Sequence, residues 1–112
     1  MTSEAVVLRR LIRILEEYGV YYVRVIQASR AGSPDLIACL RGKFYAFETK
    51  GTRGQLSELQ KLVRRRVGRS MGIFLTVYPD DLQRVESMVR HMMRLTNKSG
   101  GRHEGVHRKW VL

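Results

Sequence analysis

The chain has 112 residues, which is room for one domain and too little for a second independent core. Hydrophobic residues make up 44% and charged residues 28% of the sequence, a composition that excludes a disordered chain. Lysine and arginine total 21 against 10 acidic residues, for a formal net charge of +11. This excess predicts a polyanionic partner, and the alternative is a generally basic surface with no dedicated partner. Nucleic acid is favoured over a membrane, because no segment joins a basic face to an aromatic-rich apolar one.

Cysteine content and hydropathy favour a cytoplasmic location, in a host's cytoplasm if the protein is viral. The single cysteine, Cys39, excludes an internal disulfide, which fits a reducing compartment. No signal-peptide pattern opens the sequence, and no apolar run approaches the length of a membrane span. We therefore expect no membrane partner.

The pattern of apolar residues predicts seven secondary-structure elements. In chain order these are a helix over 3–18, a strand over 20–28, two short strands within 32–51, a helix over 54–69, a strand over 72–78 and a helix from 79 to about 95. The strand over 72–78 is continuously apolar, as is typical of strands that are buried on both faces. The order α-β-β-β-α-β-α predicts an α/β fold with helices flanking a mixed sheet.

The first two helices each have a capping residue and an apolar stripe. Thr2 or Ser3 can cap the first helix and Gly19 ends it, while Ser57 can cap the second. Helical spacing predicts that the first helix buries Leu8, Leu11, Ile12 and Leu15. The same spacing predicts that the second helix buries Leu59, Leu62, Val63 and Val67.

The end of the chain differs in composition from the rest. Residues 97–112 are rich in glycine and basic residues and have no apolar periodicity. We expect them to form a flexible basic tail. Residues 1–96 then form the single domain.

Two carboxylates and an ammonium interrupt the central pair of strands. If residues 41–42 form a two-residue turn, Asp35 stands directly opposite Glu48 on one face, with Cβ atoms ~5 Å apart. Lys50 shares that face because side chains alternate along a strand, while Thr49 points the other way. A three-residue loop would put Asp35 opposite Thr49 and break this arrangement, unless a bulge restored the face.

Facing carboxylates repel each other and are costly to bury unless a cation lies between them. A hard divalent ion with oxygen ligands, Mg²⁺ or Mn²⁺, would resolve the conflict. Lys50 on the same face can orient an attacking water, polarise it, or neutralise charge that develops on a phosphate. Glu4 lies on the apolar face of the first helix near its N-terminus, where it either favours the helix dipole or belongs to the site.

These residues carry a family resemblance. Pro34-Asp35, followed by Glu48-Thr49-Lys50, resembles the motif of the PD-(D/E)XK nuclease superfamily, whose core order is α-β-β-β-α-β. The fuller pattern, G-S-P-D, then E-T-K, then a glutamine one turn into the next helix, is similar to the compact stand-alone, virus-type form of the VRR-NUC family. Archaeal Holliday-junction resolvases are similar in outline. Their longer spacing between an Arg-Gly-Ser segment and the Pro-Asp is missing here, which favours VRR-NUC as the family.

The resemblance implies a divalent-metal-dependent endonuclease that hydrolyses phosphodiester bonds in DNA, with Mg²⁺ or Mn²⁺ as cofactor. The implied metal ligands are Asp35, Glu48, Glu4 and the backbone carbonyl of Thr49. The implied catalytic residues are Asp35, Glu48, Lys50 and Gln60, with Lys50 acting on the water and Gln60 supporting the water or the lysine. Two active sites in a homodimer would suit branched or junction DNA, on which stand-alone members are thought to act.

Arginines supply the expected contacts with the DNA backbone, because phosphate binding needs charge but no fixed order of residues. The candidates are Arg30, Arg53, Arg64, Arg65, Arg66 and Arg69. For any one of them a solvated surface position is the alternative. Two other functions stay open for the whole chain: a Holliday-junction resolvase proper, and a catalytically silent nucleic-acid-binding module of the same fold. The intact acidic and lysine motif argues against the silent module.

Overall fold

The computed structural model describes residues 1–26 and 28–98, without the side chains of residues 96–98. Its elements are α1 (Glu4–Glu17), β1 (Tyr21–Arg24), β2 (Leu36–Leu40), β3 (Lys43–Thr49), α2 (Glu58–Arg69), β4 (Ile73–Val77), a 3-10 turn (Pro79–Asp81) and α3 (Leu82–Lys98). The predicted α/β order is confirmed. Two residues of the predicted tail over 97–112 belong to α3, and residues 99–112 lie outside the described part of the chain.

The four strands form one mixed sheet in the order β1-β2-β3-β4. The first three strands are antiparallel neighbours, and β4 runs parallel to β3. The two-residue turn at Arg41-Gly42 is confirmed, because Leu40 pairs with Lys43. Both turn residues have positive φ, 51° and 77°, and such turns match the right-handed twist of the strands they join.

One face of the sheet packs against α1 and α3 and forms the core. The most buried side chains there include Leu11, Leu15, Leu36, Phe47, Val77 and Val89. The predicted stripe of α1 is partly wrong: Leu11 and Leu15 are buried, but the helix also buries Val7 and Ile14. Leu8 and Ile12 are only partly buried, because they lie at the margin of the face that meets the core.

The opposite face of the sheet is covered incompletely, and three predictions fail there. Helix α2 buries none of its residues, so the buried stripe of Leu59, Leu62, Val63 and Val67 is wrong; these side chains line an open groove instead. Strand β4 is at the sheet edge and buries only Val77, so it is not covered on both faces. Strand β1 covers Tyr21–Arg24 and so ends earlier than the predicted strand over 20–28, of which Gln27 lies outside the described residues.

None of the described helices is long and apolar enough to cross a membrane.

Candidate active site

Strand β3 brings a buried carboxylate to the incompletely covered face of the sheet. Glu48 is only 2% exposed, and its Oε2 atom accepts a hydrogen bond from Nε2 of Gln60 at 2.9 Å. The same Oε2 lies 3.6 Å from Nζ of Lys50. The other oxygen, Oε1, is buried and has no hydrogen-bond partner among the described residues. A buried, unsatisfied carboxylate oxygen is costly, so this atom indicates a place where a further group binds.

The surroundings of Glu48 oppose its ionisation. The pKa of Glu48 is raised from 4.5 to about 7, chiefly by burial and also by the negative charge of Asp35. Lys50 lowers this pKa, while Glu4 raises it. The metal-free protein therefore favours the protonated form of Glu48 more than an exposed glutamate does, and a bound cation would favour the ionised form.

Asp35 lies just before β2, where the backbone hydrogen bonding to β3 is shifted by one residue from the β2–β3 pairing. The last paired residues are Leu36 and Phe47, yet the N–H of Asp35 donates to the carbonyl of Phe47 at 3.0 Å. Oδ2 of Asp35 accepts two hydrogen bonds from Thr49, one from its N–H and one from its hydroxyl, each at 2.8 Å. The carboxylate of Asp35 therefore reaches Thr49, whose side chain holds it.

Lys50 follows β3 and is largely buried between two acids. Its Nζ lies 4.0 Å from Oε1 of Glu4, in addition to its contact with Glu48. The methylene stem is confined by Gly54, where an added Cβ would lie 3.0 Å from Cδ of the lysine. A rigid stem restricts the positions of the ammonium group, which suits a catalytic lysine.

The first turn of α1 is tied to the loop that follows Lys50. Thr52 donates its N–H to the carbonyl of Thr2 at 3.0 Å, and its hydroxyl oxygen accepts from the N–H of Thr2 at 2.8 Å. Ser3 caps the helix by accepting from the N–H of Val6. These contacts place Glu4, about half exposed, within reach of Lys50.

Gln60 is held by the N-terminus of α2. Its Oε1 accepts from the N–H of Ser57 at 2.9 Å, and its own N–H donates to the hydroxyl of Ser57 at 3.1 Å, which is a capping box. With the amide oxygen engaged in this way, Nε2 is left to donate to Glu48. The S-x-x-Q spacing signals the capping box in the sequence, but it does not signal the contact with Glu48.

The predicted arginines fall into two groups. Arg30, Arg66 and Arg69 line the groove beside α2. The remaining three are exposed elsewhere: Arg53 in the loop after β3, and Arg64 and Arg65 on α2. The arginines therefore form no single cluster, and their contacts with DNA stay a prediction.

The donor set at this site fits a hard divalent cation, although the complete predicted ligand set stays a prediction. Asp35 and Glu48 are close enough for the charge of one to raise the pKa of the other, and Oε1 of Glu48 lacks a partner. Mg²⁺ and Mn²⁺ prefer such oxygen ligands. Within residues 1–26 and 28–98, no group of three or more His, Cys, Asp or Glu side chains is arranged to hold a metal ion. Two carboxylates are thus the part of the set that the geometry supports.

Comparisons with known proteins agree with this fold. A solved structure described as a VRR_NUC domain is similar over 76% of this chain and 95% of its own length, with 20% identity and a TM-score of 0.64. The fold is therefore that of a VRR-NUC-type nuclease. The chain belongs to the family described as archaeal Holliday junction resolvase (hjc), whose model matches residues 5–67, more than half of the chain. No curated protein matches the chain significantly.

The two matches bear differently on the sequence-based resemblance. The predicted relation to VRR-NUC-type nucleases is confirmed by the fold. The family model nevertheless names the resolvases, which the short spacing before Pro34-Asp35 had disfavoured.

Proposed function

We propose that this protein is a divalent-metal-dependent endonuclease that hydrolyses phosphodiester bonds in branched DNA. The observation that carries the proposal is Glu48, a buried carboxylate with one unpartnered oxygen, set between Asp35 and Lys50. A core position would not retain such a group for stability, because an apolar residue of similar size is less costly there. Membership of a junction-resolvase family and a VRR-NUC fold support the same reaction class.

Each site residue has a definite task in this reaction. Asp35 and Glu48 would hold Mg²⁺ or Mn²⁺, which supplies Lewis acidity at the scissile phosphate and lowers the pKa of a bound water. The further proposed ligands are the backbone carbonyl of Thr49 and the carboxylate of Glu4, which lies in the first turn of α1. Lys50 carries a positive charge beside these carboxylates and can stabilise the charge that develops on the phosphate.

Gln60 positions the reacting groups without contacting the phosphate. Its Nε2 donates to Oε2 of Glu48, which fixes the plane of that carboxylate and leaves Oε1 for the cation. A hydrogen bond to an ionised carboxylate also favours the charged form that a cation requires. Gln60 is therefore a positioning residue for Glu48.

A cleavage assay on purified protein tests the proposal. Labelled four-way junctions, flaps, splayed arms and plain duplex are incubated at matched salt with Mn²⁺, Mg²⁺ or EDTA. We expect cutting of branched DNA with a divalent ion and none with EDTA. Glu48→Gln and Lys50→Ala should abolish cutting while leaving DNA binding largely intact, since binding rests on the arginines. Tight binding without cutting of any substrate would instead identify a silent binding module.

A second candidate function is that of a Holliday-junction resolvase proper, favoured by the family match over residues 5–67. It uses the same chemistry with stricter substrate choice. In the same assay, a resolvase cuts four-way junctions by symmetric paired incisions and leaves flaps and splayed arms nearly uncut. Comparable rates on all branched substrates would contradict this narrower function.

A homodimer is part of the proposal, because two incisions across a junction need two active sites. The exposed side of β1 supplies apolar surface for such contacts: Tyr21 is 73% and Val23 39% exposed. Strand β1 is also an open sheet edge, on which a second strand can pair. Light scattering during size-exclusion chromatography should give twice the chain mass, and Val23→Arg should reduce it to the monomer mass.

A further inference from the structure

A groove runs between α2 and the incompletely covered face of the sheet, beside the candidate active site. Its volume is about 830 Å³. One wall is α2, the other wall is the segment 30–33, and Phe44 of β3 lies between them. Neither the reaction nor the core uses this groove, although apolar side chains line most of it.

The floor of the groove consists of Phe44 and the apolar side chains of α2, and it is accessible to solvent. Phe44 is 47%, Leu59 44% and Leu62 38% exposed, and Val63 and Val67 complete the stripe. Exposed apolar residues that are contiguous in this way mark binding surfaces, whereas single ones are ordinary. The aromatic ring of Phe44 offers a flat face on which another ring can stack.

The rim of the groove is positively charged. Arg30, Arg66 and Arg69 line it, and no acidic side chain of the described residues does. None of these arginines belongs to an ion pair within the described residues. Unpaired guanidinium groups around an apolar floor match a ligand that has both apolar rings and negative charges.

Both walls of the groove contain residues that are close in sequence to the candidate active site. On one wall, Leu59 immediately precedes Gln60, which contacts Glu48. On the other wall, Ser33 is two residues before Asp35. The walls approach closely at Gly32, which has a φ of +78° and where an added Cβ would lie 2.9 Å from Cγ of Leu59. The groove and the candidate active site are therefore built from the same two chain segments.

We propose that this groove binds unpaired nucleotides of the DNA substrate, with bases on the Phe44–Leu59–Leu62 floor and phosphates at the three arginines. The inference deepens the proposed function and rests on it for the identity of the substrate. A duplex would present phosphates to the arginines, but its bases are stacked inside and cannot reach the floor. Single strands expose both groups, and proteins that bind them combine basic grooves with stacking side chains. The volume suits a few bases, since it lies within the range of about 300–1,000 Å³ typical of small-molecule sites.

Equilibrium binding in EDTA tests the groove separately from cleavage. Three fluorescent probes are compared at one salt concentration: a plain duplex, the duplex with a short thymidine flap, and the duplex with an abasic flap of equal length and charge. We expect the thymidine flap to bind more tightly than the abasic flap. Phe44→Ala should weaken thymidine-flap binding by about tenfold and leave duplex binding unchanged, because stacking of a base is lost. Leu62→Gln, on half-exposed helix surface, should act in the same direction.

Matched variants separate the floor from the rim. Arg66→Ala should weaken both flap probes and reduce the slope of log affinity against log salt by about one, as expected for a lost phosphate contact. Leu95→Gln changes an apolar residue of α3 that lies outside the groove and is as exposed as Leu62, and Arg13→Ala removes an exposed arginine of α1; neither should change the preference for the thymidine flap. Thermal unfolding of every variant confirms that the fold is kept.

Three results would overturn the inference. Equal affinity for the thymidine and abasic flaps would show that bases do not enter the groove. An equal effect of Leu95→Gln and Leu62→Gln would show that the floor is not special. A change of oligomeric state of the free Phe44→Ala protein, without loss of flap binding, would make the groove an interface between copies. If the flap preference is found but no DNA is cut with Mn²⁺, the endonuclease proposal fails and the groove stands.

Discussion

Gln60 joins the N-terminus of α2 to the candidate active site through a single amide. Its oxygen accepts from the N–H of Ser57 at 2.9 Å, and its nitrogen donates to Oε2 of Glu48 at the same distance. The helix cap thus determines which end of the amide faces the carboxylate. The folding of α2 and the orientation of Glu48 are therefore coupled.

Gln60→Glu and Gln60→Ala should destabilise the metal-free protein in different ways. Glutamate can still accept from Ser57 but cannot donate to Glu48, and its charge repels that carboxylate. We expect a loss of about 2 kcal/mol at pH 8 and much less at pH 5, where Glu48 is protonated. Alanine loses the cap as well and should cost about 1 kcal/mol or more at both pH values. Urea unfolding in EDTA gives both profiles, and identical profiles for the two variants would contradict the coupling.

The pKa of Glu48 predicts how the stability of the metal-free protein depends on pH. The folded-state pKa is about 7, above the ordinary value of 4.5, so the folded protein binds more protons than the unfolded chain between these values. This stabilising contribution is complete below pH 4.5 and is lost as pH rises through 7. Its size is roughly 3 kcal/mol, because one pKa unit corresponds to about 1.4 kcal/mol.

Urea unfolding from pH 4.5 to 8 in EDTA measures this loss, and Glu48→Gln is the matched variant. The variant cannot ionise, so it should lose much less stability over the same interval. When EDTA is replaced by saturating Mg²⁺ or Mn²⁺, the wild-type protein should regain most of the stability that it loses at pH 8. A bound cation favours the ionised carboxylate of Glu48. If the free energy of unfolding of the wild type falls with pH no more steeply than that of Glu48→Gln, the raised pKa of Glu48 is contradicted.

Thr49→Val should loosen Asp35 while keeping the strand. The fully buried hydroxyl donates to Oδ2 of Asp35 at 2.8 Å, and valine keeps the β-branched shape without this donor. We expect a loss of about 1–2 kcal/mol in the free energy of unfolding, because one buried carboxylate bond is removed. The divalent-ion concentration for half-maximal DNA cutting should rise several-fold. Thr49→Ser retains the hydroxyl, and its ion dependence should stay near that of the wild type.

The sequence predicted the hairpin register well because local chemistry determines it. Gly42 readily takes the positive φ that a two-residue turn needs, and the alternating side chains of β3 then have one consistent pairing. The same reasoning failed at Asp35, one residue beyond the last β2–β3 pair. The hydrogen bonds of Asp35 to Thr49 and Phe47 shift the pairing by one residue, and these tertiary contacts leave no periodic signal in the sequence.

The groove beside α2 also escaped sequence-based prediction, for a different physical reason. An apolar stripe such as Leu59, Leu62 and Val67 indicates which face of a helix avoids water, but not how closely the next layer approaches it. Only the three-dimensional packing leaves Phe44 and these side chains accessible. The stripe was identified correctly, and its burial was not.

Thr52→Val should release the first turn of α1 and, through it, Glu4. The variant keeps the backbone hydrogen bond from residue 52 to the carbonyl of Thr2, but it loses the hydroxyl that accepts from the N–H of Thr2. Amide hydrogen exchange of a peptide covering residues 2–8 should accelerate about tenfold if the loss costs about 1.4 kcal/mol of local stability. Thr52→Ser keeps the hydroxyl and should exchange at the wild-type rate.

If Glu4 contributes to the site, Thr52→Val should also slow DNA cutting, by less than Glu4→Gln does. Faster exchange with an unchanged cutting rate would restrict Glu4 to favouring the helix dipole.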